Sequence, residues 1–191
     1  MKVAIVRYPG SNCDFDAKRY FGGEFVWHTV NPFTKCYSKC YDLIVIPGGF
    51  AFGDRTYNKA TETYEISPGQ KALESEVSKF IKEAVDFGIP ILGICNGFQI
   101  LVKLGLLPGK LERNLDGRFH SKYVDCIFED DSIFKIPIAN QYGRYVGDEK
   151  DAFLLYKDYG NGIAGVRRGN VFGMMPHPER AADENLGNID G

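Results

Sequence analysis

The chain has 191 residues, enough for one domain with a real core and short for two. With 44% hydrophobic residues, 25% charged residues and a net charge of −2, it lacks the basic excess that grips nucleic acid or an anionic membrane surface. No apolar run approaches the roughly 20 residues of a membrane span. The opening Met1–Val6 is too short for a signal peptide, so a cytoplasmic location is expected.

In chain order, Lys2 to Arg7 reads as a continuous apolar strand, and Tyr8-Pro9-Gly10-Ser11-Asn12 as a turn. Asn12 or Asp14 is placed to cap a helix that runs to about Phe21 and stops at Gly22-Gly23. Glu24 to Val30 is a second strand and Asp42 to Ile46 a third, ended by Pro47-Gly48-Gly49. Phe50 to Pro68 is long and irregular for a compact domain, which marks it as functional or disordered. Gln70 to Phe87 carries Leu73, Val77, Phe80, Ile81 and Val85 at helical spacing, with Gly88 at its end. Ile89 to Ile94 is a fourth strand and Gly97 to Leu104 a further helix.

These four strands are apolar runs rather than alternating patterns, so burial on both faces is expected. The fold class that follows is α/β: a three-layer, open, mainly parallel sheet of flavodoxin-like type. After Pro108 the pattern changes to short strands near Arg118–Phe128, Ile133–Ala139, Phe153–Tyr156, Gly162–Arg167 and Val171–Met175. Gly and Asp turns separate them, which suggests an antiparallel extension in the C-terminal half. No repeat, linker or low-complexity stretch divides the chain, so residues 1–191 read as a single domain.

Five cysteines, Cys13, Cys36, Cys40, Cys95 and Cys126, are an odd count that argues against a disulfide framework. Cys36 and Cys40 are spaced C-x3-C, but no second Cys/His pair lies nearby to complete four zinc ligands. No metal site is expected.

Cys95 is different. Ile89–Ile94 runs into Gly93-Ile94-Cys95-Asn96-Gly97-Phe98-Gln99, a strand, G-x-C-x-G and a helix. That is the nucleophile-elbow pattern with cysteine in place of serine. The glycines let chains pass close to a strained turn. The helix N-terminus favours a negative sulfur. A cysteine nucleophile needs a base, and there are three histidines. His28 and His120 lie within strands and read as core or edge histidines. His177 sits in Met174-Met175-Pro176-His177-Pro178-Glu179-Arg180, directly after an apolar strand, with a proline on each side. In extended backbone, residues i and i+2 project to one side, so Glu179 can reach the far imidazole nitrogen. The three side chains make a nucleophile, a base and an orienter. An oxyanion hole needs two N–H donors; Asn96 can give one and the Pro47-Gly48-Gly49 turn the other.

Together PGGFAFGD (47–54), GICNGFQ (93–99) and MMPHPER (174–180) resemble the motifs of class I (triad) glutamine amidotransferases. PGSNCD (9–14), Leu106-Leu107-Pro108-Gly109, Arg113-Asn114 and Gly117-Arg118-Phe119 are similar to one branch, the glutaminase subunits of phosphoribosylformylglycinamidine synthases of purine biosynthesis. The resemblance covers essentially the whole chain. It implies Cys95 as nucleophile, His177 as general base then acid, Glu179 as orienter, Gly49 and Asn96 as oxyanion donors, and Gln99 in contact with bound glutamine. It also implies a separate synthetase subunit that receives ammonia, and in some systems a small third subunit. No cofactor is expected in this chain: ATP and magnesium belong to the partner, and no G-x-x-x-x-G-K-[ST] loop occurs here.

One segment departs from the family. Where His-Gly-Glu-Gly is usual, this chain has Asn140-Gln141-Tyr142-Gly143. Asn140 and Tyr142 are therefore expected at the glutamine pocket with altered chemistry. Other readings are an amidotransferase subunit for another acceptor, a related cysteine-elbow hydrolase, or a non-catalytic binding module. Phe52, Tyr57 and Tyr64 of the long loop are expected to form part of the docking surface for the partner.

Overall fold

The computed structural model describes residues 1–29, 40–50, 73–160 and 162–191. Cys36, and the loop aromatics Phe52, Tyr57 and Tyr64 expected at the docking surface, lie outside the described residues. The described elements are β1 (Val3–Arg7), α1 (Asp14–Phe21), β2 (Glu24–Trp27), β3 (Leu43–Ile46), α2 (Glu76–Asp86), β4 (Ile91–Ile94), α3 (Asn96–Lys103), β5 (Lys110–Glu112), β6 (His120–Phe128), β7 (Ile133–Asn140), β8 (Arg144–Val146), β9 (Ala152–Tyr156), β10 (Ile163–Arg168) and β11 (Val171–Met174).

Among the described residues, nine strands form one sheet in the order β2-β1-β3-β4-β11-β10-β9-β6-β7. The pairs from β2 through β11 are parallel, and those from β11 through β7 are antiparallel. β11, expected within the antiparallel extension, instead pairs parallel with β4 on one side and antiparallel with β10 on the other, so it is the strand at which the two halves join. The two short strands β5 and β8 pair with each other in a separate ribbon.

The central parallel strands are covered on both faces. Positions Gly93 and Gly173 point to α3, where added Cβ atoms would run into Leu101 and Phe98. Their neighbours Leu92, Phe172 and Met174 point the opposite way, toward a groove that Tyr20 and Phe21 of α1 also line. Val3–Val6, Ile44–Ile46 and Ile91 are essentially inaccessible, as is the apolar stripe Val77, Phe80, Ile81 and Ala84 of α2. Such continuous burial is what the unbroken apolar runs demand.

Some expectations need correction. β2 ends at Trp27 and is an edge strand: Glu24 and Trp27 are exposed, so only Val26 is fully buried. Position, not composition, decides this, because an edge strand has a neighbour on one side only. Neither Asn12 nor Asp14 caps α1; Cys13 occupies the cap position and makes no side-chain cap hydrogen bond. Asp14 instead pairs with Arg7, whose guanidinium lies over Trp27.

Candidate active site

The centre of the sheet delivers Cys95. β4 lies between β3 and β11, and the chain turns sharply after Ile94. Cys95 adopts φ 50° and ψ −102°, a backbone that side-chain-bearing residues rarely take. The turn is held by Cys95 N–H donating to the Met174 carbonyl at 2.7 Å, and by its own carbonyl accepting from Gln99 N–H at 3.1 Å. Both flanking glycines are close-approach positions. A Cβ on Gly97 would lie 1.9 Å from the Ile46 carbonyl oxygen, and one on Gly93 2.7 Å from the Gly97 carbonyl oxygen. The elbow therefore packs directly on the end of β3. Cys95 is buried, and its thiol points at the Ala139 carbonyl, 3.9 Å away.

β11 delivers the second part. After Met174 the chain runs through Pro176, and His177 N–H donates to the Pro137 carbonyl of β7 at 2.8 Å. His177 and Glu179 are 2% and 1% exposed, so their contact is shielded from water. His177 Nδ1 lies 2.7 Å from Glu179 Oε1. With Nδ1–H donating to the carboxylate, Nε2 is the nitrogen left to gain and lose a proton. Burial works against the imidazolium form, but the Glu179 carboxylate and Cys95 outweigh it and hold the His177 pKa well above its ordinary value. Cys95 and Cys13 both lie within electrostatic reach of the ring, although among the described residues Nε2 makes no hydrogen bond of good geometry.

The Pro47-Gly48-Gly49 turn closes the other side. Asn12 and Cys13 N–H groups donate to the Gly48 carbonyl, and Phe50 N–H donates to Gly10. Gly49 bridges to Ser11. A Cβ on Gly48 would lie 2.6 Å from His177 Cε1 and 3.0 Å from Cys13 Sγ. The turn, the imidazole and Cys13 thus meet at one point. Asn96, the expected oxyanion donor, is the first residue of α3.

Gln99 is tied in from both ends. Asn96 Nδ2–H donates to its Oε1 at 2.9 Å, and its own Nε2–H donates to the Tyr142 carbonyl at 2.8 Å. Asn140, beside the Ala139 carbonyl that the thiol faces, is fully buried, and among the described residues neither atom of its amide has a partner. The Tyr142 side chain is 40% exposed at the rim. Asn114 holds this segment in place: its Nδ2 donates to the carbonyls of Asn140 and Arg118, and its N–H to Gln141. A cavity of about 240 Å³ reaches His177 and Ala139 from the β6–β7 side, with Lys122, Tyr123 and Arg180 at its wall.

Cys13, His177 and Glu179 bring possible metal-ligating atoms within 4.8 Å of one another. Each of these side chains is already engaged: His177 with Glu179, and Cys13 with an N–H of Arg180. The Arg180 cation on the sulfur opposes a dication there.

Residues 1–153 match the CobB/CobQ-like glutamine amidotransferase domain. The chain belongs to that family. The matched span takes in Cys95, Gln99 and Asn140. Over its full length the chain is also similar to the phosphoribosylformylglycinamidine synthase subunit PurQ of Thermotoga maritima, at 41% identity over 214 aligned positions, which cover 100% of this chain and 92% of the relative. Among solved structures, PurLQS from Thermotoga maritima superposes with a TM-score of 0.82 at 38% identity, covering 100% of this chain and 93% of that one. Another glutamine amidotransferase from Thermotoga maritima shares the fold alone, with a TM-score of 0.59 at 20% identity over 94% of this chain and 76% of that one.

In this amidotransferase the elbow, the His-x-Glu pair and the Pro-Gly-Gly turn, each marked out by its own local motif, converge on one site. Sequence reasoning gave no role to Cys13, Asn114 or Arg180. All three stood inside segments that carry the resemblance, PGSNCD, Arg113-Asn114 and PHPER, and that was the available signal.

The electrostatics of the buried pair make one prediction. A histidine whose pKa is raised on folding adds stability that is fully present below its unfolded value of 6.5 and is lost as pH rises through the folded value. The wild-type chain is therefore expected to lose stability from about pH 6.5 upward. Glu179→Gln removes the largest favourable influence on the imidazolium, so the loss with rising pH shrinks. Urea denaturation at several pH values reads this directly; an equally steep decline in the variant would refute the Glu179 contribution.

Proposed function

We propose that this chain is the glutaminase subunit of a phosphoribosylformylglycinamidine synthase. The observation that carries the reading is the buried His177–Glu179 hydrogen bond set against an elbow cysteine, in a chain 41% identical over its whole length to a PurQ subunit.

The chemistry follows from the geometry. Cys95 Sγ attacks the side-chain amide carbon of glutamine while His177 Nε2 takes the thiol proton. Backbone N–H groups of Gly49 and Asn96 hold the oxyanion. His177 then gives the proton to the departing nitrogen, and ammonia leaves as the γ-glutamyl thioester forms. Water, deprotonated by His177, cleaves the thioester to glutamate and restores the thiol. Glu179 keeps Nδ1 protonated throughout, so Nε2 is the nitrogen that handles protons. Gln99, Asn140 and Tyr142 border the glutamine pocket. Asn140 supplies a buried donor and acceptor pair that suits an amide or a carboxylate of the substrate.

The ammonia passes to a synthetase subunit, which uses ATP and magnesium to convert formylglycinamide ribonucleotide into formylglycinamidine ribonucleotide. This chain itself carries no cofactor in the scheme, and its 191 residues act as one amidotransferase domain. Among the described residues no helix is long and apolar enough to cross a membrane. We place the enzyme in the cytoplasm, with the synthetase.

Covalent trapping tests the reading. A diazo-ketone analogue of glutamine is expected to add once, on Cys95, and excess glutamine is expected to block it. An adduct elsewhere, or none with the synthetase present, would show that the pocket is not built for glutamine.

A further inference from the structure

We propose that Cys13 and Arg180 form a positioning pair that holds the His177–Glu179 hydrogen bond in register with Cys95. The inference rests on the glutaminase reading above.

Cys13 occupies the cap position of α1, where Ser, Thr, Asp or Asn would stabilise the helix by accepting an N–H. It makes no such bond. Its side chain turns inward instead and is buried. There its sulfur accepts an N–H from Arg180 Nη2 at 3.1 Å. The same guanidinium donates from Nε to Asp16 Oδ2 at 3.2 Å. Cys13 and Asp16 are three residues apart and therefore share one side of the first helical turn. A planar guanidinium with donors at fixed spacing suits two such acceptors; a lysine ammonium does not.

Arg180 directly follows Glu179 in the 3-10 turn Pro178–Arg180. Anchoring the guanidinium on α1 therefore fixes where that turn sits, and with it the carboxylate that receives Nδ1–H of His177 at 2.7 Å. The sulfur contributes a second constraint. It lies within 4.8 Å of the nearest polar atoms of His177 and Glu179, and Gly48 leaves just enough space for it beside His177 Cε1. The imidazole is thus bounded by Glu179, Gly48 and Cys13. Two motifs 167 residues apart, PGSNCD and PHPER, become one device that sets the base.

The test measures kcat and KM for glutamine hydrolysis, with melting temperature, on the full chain assembled with its synthetase subunit. Cys13→Ala and Arg180→Lys are each expected to lower kcat about 10- to 100-fold, as small misplacements of a reacting group do. KM for glutamine stays within about twofold, because binding contacts are untouched. Cys13→Ser keeps an acceptor and recovers most of the loss. The double variant falls no further than the worse single one, since both disrupt the same contact. An unchanged kcat in Cys13→Ala, a loss confined to KM, or independent effects in the double variant would overturn the pair. If Cys13→Ala does not fold, Asp16→Ala, which removes the acceptor at the half-exposed end of the clamp, decides. It is expected to lower kcat about threefold through loss of one hydrogen bond, and no change overturns the proposal. A wild-type complex that neither hydrolyses glutamine nor is trapped at Cys95 strikes instead at the glutaminase reading, and removes this inference with it.

Discussion

Cys95→Ser is expected to lower glutamine-dependent turnover of the assembled synthase by about 10⁴-fold or more, while turnover driven by added ammonia persists. Serine fills nearly the same space, so the elbow at φ 50° and its contact with Ile46 survive the change. What is lost is the nucleophile. An alcohol is a far weaker nucleophile than a thiolate near neutral pH, and His177 is set for a thiol whose sulfur reaches further than oxygen. Free ammonia needs no amide hydrolysis and enters the scheme after this step, at the synthetase. The two rates therefore separate damage to the glutaminase from damage to the complex. Parallel melting curves check that the variant folds. If glutamine-dependent turnover stayed above about 1% of wild type, a second nucleophile would have to exist, and Cys13, beside the same histidine, would be the first to examine.

The residues that this experiment targets were legible in the sequence because each lies in a local pattern. An elbow is a strand, a short glycine-flanked turn and a helix, all within a dozen residues. A His-x-Glu pair in extended backbone also meets itself locally. The centre of the parallel half was legible for a related reason: β1, β3 and β4 are buried on both faces and lose the alternating pattern. The strand order of the antiparallel half was not. β9 pairs with both β6 and β10, and nothing in Ala152–Tyr156 names those partners. β5 and β8 escaped because three residues carry no period. The cap of α1 was misplaced because local propensity favoured Asn12 or Asp14, whereas a tertiary contact with Arg180 claimed the position for Cys13. Asn114 stood only in the Arg113-Asn114 resemblance, with no local pattern to name its partner. Its value lies in reaching the Asn140 carbonyl 26 residues away, which only the folded chain reveals.

Gly97→Ala is the second large effect, and here propensity and packing point in opposite directions. Gly97 lies in the first turn of α3, and in a helix alanine is better than glycine by about 1 kcal/mol. On that ground the change would stabilise the protein. The added carbon, however, would lie 1.9 Å from the Ile46 carbonyl oxygen and 2.8 Å from its carbon. Both are backbone atoms of the buried strand β3, so no side-chain rotamer relieves the clash. Either the helix lifts off the sheet or β3 moves. We expect a net loss of about 4 kcal/mol, in the range of severe core disruption. The same displacement carries Pro47-Gly48-Gly49 with it, because that turn begins at Ile46. Gly48 packs on His177, and Gly49 is the proposed oxyanion donor, so trapping at Cys95 is expected to slow even in the fraction that stays folded. Gly105→Ala serves as the control. Gly105 has φ 74° with nothing within 4 Å of a Cβ, so its cost is backbone strain alone, about 1 kcal/mol. Urea midpoints for the two variants should differ widely. Equal midpoints would mean that the elbow does not rest on the end of β3, and that the oxyanion turn is held in place by something other than the glycine beside the cysteine.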